Sequence, residues 1–376
     1  MEASKPTLAT ILTKHWEDFA NKNRHMLSSA HYRAVRSVLW CRTPRLGGRL
    51  YGCPSCHRKH FAYHSCNHRS CPQCGALEQQ LWSRKQEDRL LPADYFMVTF
   101  TIPTELRSLC RKHPKELYDL MLKQSSAALK DIVASKLKGA LTGCTSVLHT
   151  WGRQLQHHPH VHCIVPAAAL SPGGRLTLPP NSDFLIHYKP LAQRFRNLMR
   201  SALAKHYPDI ANKLAPEQRS SLSRSHTWNV QIQHAGRGKT AVRYLARYAK
   251  KSGFTDRRLI GYSADKKHIL LRWTNSTTNR PGVLKLSVHE FIRRWLLHVL
   301  PKGFARIRHY GLLSSAAKKN RLILRALLGQ FGEPEHEPPA PSPHTCPHCK
   351  ANLEFLRELP RLSLPRGPPQ TFTKQT

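Results

Sequence analysis

The stretch Gln154-Leu155-Gln156-His157-His158-Pro159-His160-Val161-His162-Cys163-Ile164-Val165 decides how this chain is read. Val161 alternates with His160 and His162, and Cys163-Ile164-Val165 continues as an apolar run, the pattern of a β-strand. Residues two apart on a strand share a face, so His160 and His162 point the same way. Two imidazoles roughly 6–7 Å apart on a rigid strand can grip one divalent metal ion. The chain has 24 histidines, so such a pair also arises by chance, and a polar strand face is the bland alternative. The surroundings decide between them.

Upstream, Thr145 to Trp151 reads as a strand and Gly152 as a turn into the histidine stretch. Asp94 to Pro103, rich in aromatic and β-branched residues, is another strand. Helices are expected over 105–111 and 114–137, and a basic helical region over 188–220. Downstream come a strand from Trp228 to Gln233, a Gly236-Arg237-Gly238 turn and a helix over 241–251. Tyr244 and Tyr248 are four apart on that helix and share one face. Such a pair is more often a packing stripe than a catalytic one. Arg243, Arg247, Lys250 and Lys251 flank it and suit a phosphate backbone. A strand pair at 258–262 and 268–273 and an amphipathic helix from Ser287 to Leu300 follow. The basic, Gly-containing segment Lys302 to Arg308, with Arg306 inside it, reads as DNA-contacting.

The N-terminal third is different. Helical periodicity over 7–40 places Leu8, Ile11, Leu12, Trp16 and Phe19 on one stripe. Then come two C-x-x-C knuckles, Cys53-Pro54-Ser55-Cys56 and Cys71-Pro72-Gln73-Cys74, a spacing that signals zinc. Cys53, Cys56, Cys71 and Cys74 are the simplest ligand set. Cys66, His60, His64 and His68 are spares, so a different set, or two ions, stays open. Four thiolates leave no open position, which makes the zinc structural. Cys53 to His57 also matches c-type haem attachment, but no export signal accompanies it and a second knuckle lies close by. A helix over 76–91 leads out of the module. The third knuckle, Cys346-Pro347-His348-Cys349, follows a Pro-, Glu- and His-rich linker and stands alone, with His336, His344 and His348 as possible partners. Pro365 to Thr376 is expected to be disordered.

Composition bounds the function. The chain has 376 residues, with 60 Lys plus Arg against 22 Asp plus Glu, a formal net charge of +38. Such an excess predicts a polyanionic partner, nucleic acid first. No stretch reaches the roughly 18–20 apolar residues of a membrane span. Residues 1–15 lack the apolar core of a signal peptide. A cytoplasmic protein is expected, with its 11 cysteines reduced or bound to metal.

These parts, in this order, resemble the HUH nucleases, and among them the rolling-circle transposases of the insertion sequence ninety-one family. The resemblance rests on His160-Val161-His162 after a Trp-containing strand, Tyr244-x-x-x-Tyr248 downstream, and the cysteine knuckles from Cys53 to Cys74. Val98 to Pro103, His149 to Arg153 and Phe291 to Leu312 also match, so it covers roughly residues 10–330. It implies an α+β fold, an HUH-nuclease-like antiparallel sheet with flanking helices, preceded by a small helical and zinc-knuckle module. Three segments are expected: 1–90, 91–330 and a Pro-rich tail, 331–376. It implies a tyrosine that cuts single-stranded DNA at the ends of a mobile element and a 5′-phosphotyrosine link. It further implies Mg²⁺ or Mn²⁺ held by His160 and His162, and a bacterial, nucleoid-associated setting. For a third ligand, Gln154, Gln156 and His158 share the face of His160 if the strand runs straight, and Gln154 or Gln156 is preferred; Pro159 could break the register. No P-loop is present, so unwinding falls to a host helicase or to single-stranded intermediates. The alternatives are a replication initiator or relaxase, a non-catalytic zinc-dependent DNA-binding protein, and a metallohydrolase using the two histidines.

Overall fold

The computed structural model describes residues 5–137, 139–179, 185–249, 253–275, 278–331 and 344–362, with side chains given as far as Ala246 on the helix that ends at Ala249. In chain order the main elements are α1 (Leu8–Lys22), α2 (Ser29–Trp40), β1 (Gly48–Gly52), β2 (Lys59–Tyr63), α3 (Ala76–Glu87), β3 (Tyr95–Thr101), α4 (Pro114–Lys136), β4 (Gly143–Trp151) and β5 (His157–Pro166). There follow α5 (Tyr188–His206), β6 (Asn229–His234), α6 (Lys239–Ala249), β7 (Leu259–Tyr262), β8 (His268–Thr274), β9 (Pro281–Ser287), α7 (Val288–Leu296), β10 (Ile307–Gly311), α8 (Lys318–Leu327) and β11 (Glu354–Leu359). The α+β expectation holds, with antiparallel sheets and flanking helices.

Five strands form the central sheet in the order β10-β4-β5-β3-β6, every neighbour antiparallel. Period-2 alternation sorts its side chains between two faces. Phe96, Val98 and Phe100 of β3, Leu148 of β4 and Val161, Cys163 and Val165 of β5 face α4 and α5, which cover them through residues such as Leu117, Met121, Phe195 and Met199. Phe100 and Phe195 meet edge to face, ring centres 4.9 Å apart. The other face presents Tyr95, Val147 and Ile164, and α6 lies on them through Ala241, Val242 and Leu245. The start of α6 depends on Gly238, whose φ of +79° is left-handed and whose added Cβ would stand 2.8 Å from the Tyr95 ring.

The N-terminal helices do not close a core of their own. Leu8, Ile11, Leu12, Trp16 and Phe19 pack with Leu259 of β7, Ile269 and Leu271 of β8, Leu286 of β9 and the apolar stripe of α7. That stripe is Val288, Phe291, Ile292, Trp295 and Leu296, the i, i+3, i+4, i+7, i+8 spacing of a helix with one buried side. Each such side chain taken out of water contributes about 1.5–3 kcal/mol. The helix ends at Leu296 rather than Leu300. The cysteine module adds a second, three-stranded sheet, β11-β1-β2. Its outer strand comes from the tail, so the described part of the tail is folded onto the N-terminal module.

Two buried imidazoles hold the turn that joins β4 to β5. His298 lies between Thr150 Oγ1, 3.2 Å from its Nδ1, and the Leu155 carbonyl, 3.0 Å from its Nε2. Leu155 is left-handed, with φ +58°, an uncommon conformation for its side chain, and full burial of that side chain helps to fix it. His157, the first residue of β5, meets the Tyr118 hydroxyl at 2.8 Å. Burial pushes His298 down from 6.5 to about 4 and His157 to about 3. Both are neutral in the folded chain and charge near pH 6.5 when it unfolds, so the unfolded chain binds more protons between the two values. Stability should therefore fall as pH drops from about 6.5 toward about 4. Denaturant midpoints measured from pH 7.5 to 5 should fall less steeply for His298→Gln than for the parent; equal slopes would contradict this account.

Candidate active site

His160 and His162 leave β5 on the face that α6 covers, as period 2 requires. A third imidazole joins them from the neighbouring strand. The β4–β5 register sets His149 opposite His160 and Val147 opposite His162. Ring centres are 5.2 Å apart for His149 and His160, 4.5 Å for His149 and His162, and 4.8 Å for His160 and His162. One ligand nitrogen from each of the three lies within 4.8 Å of the others.

A hydrogen bond sets the tautomer of His160. His160 Nδ1 donates to the His158 carbonyl at 2.7 Å, which leaves its Nε2 as a lone-pair donor. His162 Nδ1 lies 2.9 Å from Thr99 Oγ1, its partner across the β3–β5 register. His162 Nε2 is buried with no hydrogen-bond partner among the described residues. When Nδ1 donates to the Thr99 hydroxyl, Nε2 carries a buried lone pair that suits a metal ion. Burial lowers His160 to about 4 and His162 to about 3, and drives His149 well below its ordinary value. All three are thus neutral at pH 7, the form that ligates.

Gln154 does not join them. β5 begins at His157, and Gln154 sits in the preceding turn, its N–H donating to Gln156 Oε1 at 3.0 Å and its carbonyl accepting from Arg294 at 2.9 Å. The straight-strand assumption fails because the chain turns at residues 152–156. His149 was legible only inside a matching stretch; its signal was its place across a short hairpin from His160.

Tyr244 extends from α6 toward the cluster, its ring centre 5.9 Å from that of His162 and the two rings edge to face. It is 37% exposed, so the space in front of it opens to solvent. Tyr248 is one turn further on; its side chain and that of Arg247 lie outside the described residues, as do Lys250 and Lys251 entirely. Arg243 is exposed and pairs with Glu87 at 3.1 Å. Of Lys302, Arg306 and Arg308, only Lys302 is exposed. Arg308 pairs with Asp119 at 2.6 Å. Arg306, 5% exposed, is no surface contact: its guanidinium lies over the Trp151 ring, 5.4 Å from the centre, and its charge bears on His149. Burial lowers it to about 9.

The cysteines form two clusters rather than the single set Cys53, Cys56, Cys71 and Cys74. Cys41, Cys66, Cys71 and Cys74 converge in one, and Cys53, Cys56, Cys346 and Cys349 in the other, the sulfurs of each within 4.8 Å of one another. The reason is the β1–β2 hairpin. Cys53 and Cys56 sit at its tip, whereas Cys41 precedes it and Cys66 to Cys74 follow it. Five strand residues span about 16 Å, too far for tip and base to share one ion. Cys66, a spare on sequence grounds, is a full member of the base cluster.

A family model described as a transposase zinc-binding domain matches residues 11–102, and one described as "putative transposase" matches residues 143–321. A "putative transposase y4qJ" of Sinorhizobium fredii is 31% identical over 375 residues, covering 96% of this chain and 94% of that protein. The transposase for insertion sequence element IS801 of Pseudomonas savastanoi pv. phaseolicola is 28% identical over 344 residues, covering 87% of this chain and 80% of that protein. No solved structure matches. With a zinc-binding N-terminal domain, a transposase domain and near full-length relatives of that description, the chain belongs to the transposases of the insertion sequence ninety-one family.

Proposed function

We propose that this transposase cuts and rejoins single-stranded DNA at the ends of a mobile element through a tyrosine-linked intermediate, in a rolling-circle reaction. The observation that carries the reading is the placement of Tyr244 against His162, beside the cluster of His149, His160 and His162. The Tyr244 oxygen attacks the phosphorus of the scissile phosphodiester. The bond to the 3′-oxygen breaks, that oxygen takes a proton, and the 5′-phosphate stays on tyrosine. A free 3′-hydroxyl later attacks the phosphotyrosine and releases the phenol, so joining needs no nucleotide cofactor. Tyr248, on the same helical face by spacing, would serve the second strand end.

His149, His160 and His162 would hold a divalent ion. When bound, that ion polarises the phosphate oxygens and offsets the charge that develops during attack. Three imidazoles without a carboxylate suit a transition ion better than Mg²⁺, which takes oxygen ligands, so Mn²⁺ is the better match of the two. Arg306 is a fixed positive charge in a water-poor site, where charge stabilisation is strongest. Cys41, Cys66, Cys71 and Cys74 would hold a structural zinc. The excess of positive charge would run the DNA to this face, and the protein would work at the nucleoid with a host helicase supplying the single strand.

Three experiments test this. Single-stranded oligonucleotides spanning element ends, labelled at 5′ or 3′ and incubated with Mn²⁺, should give a covalent protein adduct on the 5′-phosphate side. The adduct should vanish in Tyr244→Phe/Tyr248→Phe; cleavage without an adduct would mean hydrolysis instead. His149→Ala should lower cleavage by at least about 100-fold, the upper end of the loss caused by removing a mere supporting partner of a ligand, whereas Gln154→Ala should stay close to the parent. The log–log salt dependence of binding should lose about 0.7 of slope in Lys302→Ala, one single-strand phosphate contact; an unchanged slope would remove Lys302 from the DNA path.

A further inference from the structure

Cys346 and Cys349 lie outside both matched stretches, which end at residues 102 and 321. Yet their sulfurs meet the hairpin tip. Cys53 Sγ is 3.3 Å from Cys349 Sγ, and Cys56 Sγ is 3.6 Å from Cys346 Sγ. Sulfurs at the corners of a tetrahedron with Zn–S near 2.3 Å are about 3.8 Å apart. A disulfide would need about 2.05 Å, and all four cysteines are free.

The two knuckles are built alike. In Cys53-Pro54-Ser55-Cys56 the His57 N–H donates to the Cys53 carbonyl at 2.9 Å, and the Cys53 N–H to the Arg58 carbonyl at 3.0 Å. In Cys346-Pro347-His348-Cys349 the Lys350 N–H donates to the Cys346 carbonyl at 2.9 Å, and the Cys346 N–H to the Ala351 carbonyl at 2.8 Å. The residue after each second cysteine is left-handed, His57 at φ +57° and Lys350 at φ +64°. Non-glycine residues seldom adopt that conformation. Its recurrence at equivalent positions marks a repeated turn that presents two sulfurs.

The surroundings join the same two segments. Arg58 Nη1 lies 2.8 Å from His348 Nδ1, and His60 Nε2 lies 3.4 Å from Cys346 Sγ, where an N–H would offset thiolate charge. β11 pairs antiparallel with β1, Gly48 opposite Leu359 and Gly52 opposite Glu354. Arg49 meets Glu358 at 2.8 Å, and Tyr51 packs on His344, ring centres 4.7 Å apart.

We propose that Cys53, Cys56, Cys346 and Cys349 form a second structural zinc site, which fastens the C-terminal segment onto the N-terminal hairpin as a third strand. With four thiolates it has no open position for substrate. It stands independently of the tyrosine chemistry.

The test is zinc content of the full-length protein, measured by plasma mass spectrometry after purification without added metal. Cys346→Ser/Cys349→Ser should hold one zinc equivalent per chain less than the parent. Adding Cys53→Ser/Cys56→Ser to it should remove no further zinc, because both pairs serve one ion. Equal zinc in parent and double variant would overturn the site, as would a further equivalent lost in the quadruple variant. A second measurement uses the unaltered protein and so does not depend on how a variant folds. Iodoacetamide labelling of the peptide carrying Cys346 and Cys349, read by mass spectrometry, should be severalfold slower without a zinc chelator than with one. Cys349 is exposed, so as a free thiol it would label at the same rate in both conditions, and that result would overturn the proposal.

Discussion

The antiparallel pairing of β4 with β5 is the constraint on which the site depends. Once His149 stands opposite His160, every residue of both strands has its face assigned. A slip of β5 by one residue would send His160 and His162 into the layer beneath α4 and α5 and bring Val161 up under α6. Two buried faces forbid that slip: one is filled by aromatic and aliphatic packing, the other by the Tyr95, Val147 and Ile164 platform on which α6 rests. The turn between the strands is held by His298 and by the strained Leu155. Backbone conformation, hydrogen bonding and core packing thus converge on a few residues before the chemistry begins.

The same platform places the tyrosine. Ala241, Val242 and Leu245 dock α6, and the helical repeat then turns Tyr244 outward beside His162. Tyr244 is thus carried by a sheet and a packed helix rather than by a loop, which keeps a side chain near a fixed point at low entropic cost. Arg306 lies in the segment that leads into the edge strand β10, and its carbonyl accepts from the Leu148 N–H at 3.0 Å, which fixes the backbone that carries the buried charge.

Much of this was legible in local pattern. The strand at Tyr95–Thr101, the shared face of His160 and His162 and the helix bearing Tyr244 follow from alternation and helical spacing, which depend only on near neighbours. What was not legible involves residues distant in sequence. His149 needs a register, and the numbers of paired residues across a hairpin sum to a constant only if the turn is known. Cys41, 25 residues before Cys66, carries no knuckle signature. The second strand partner of β1 comes from residues 354–359, about 300 positions away. Arg306 reads as a surface cation because its burial is created by Trp151 and is invisible in composition. The expected lone third knuckle and the expected mixed ligand set err for one reason: spacing reveals which cysteines share a turn, but not which turns meet.

The shared core of α1 with β7, β8, β9 and α7 has a consequence for how the protein is made. A ribosome extends the chain at about 5–20 residues per second. The stripe from Leu8 to Phe19 leaves the tunnel early and α2 follows at once to cover part of it, Trp16 meeting Tyr32 with ring centres 5.6 Å apart, yet the rest of its cover lies between 254 and 296. Roughly 10–60 seconds therefore pass at that rate between synthesis of the apolar stripe and completion of its cover. Throughout that interval part of the apolar stripe stays open to water, the kind of transiently exposed surface that chaperones exist to shield.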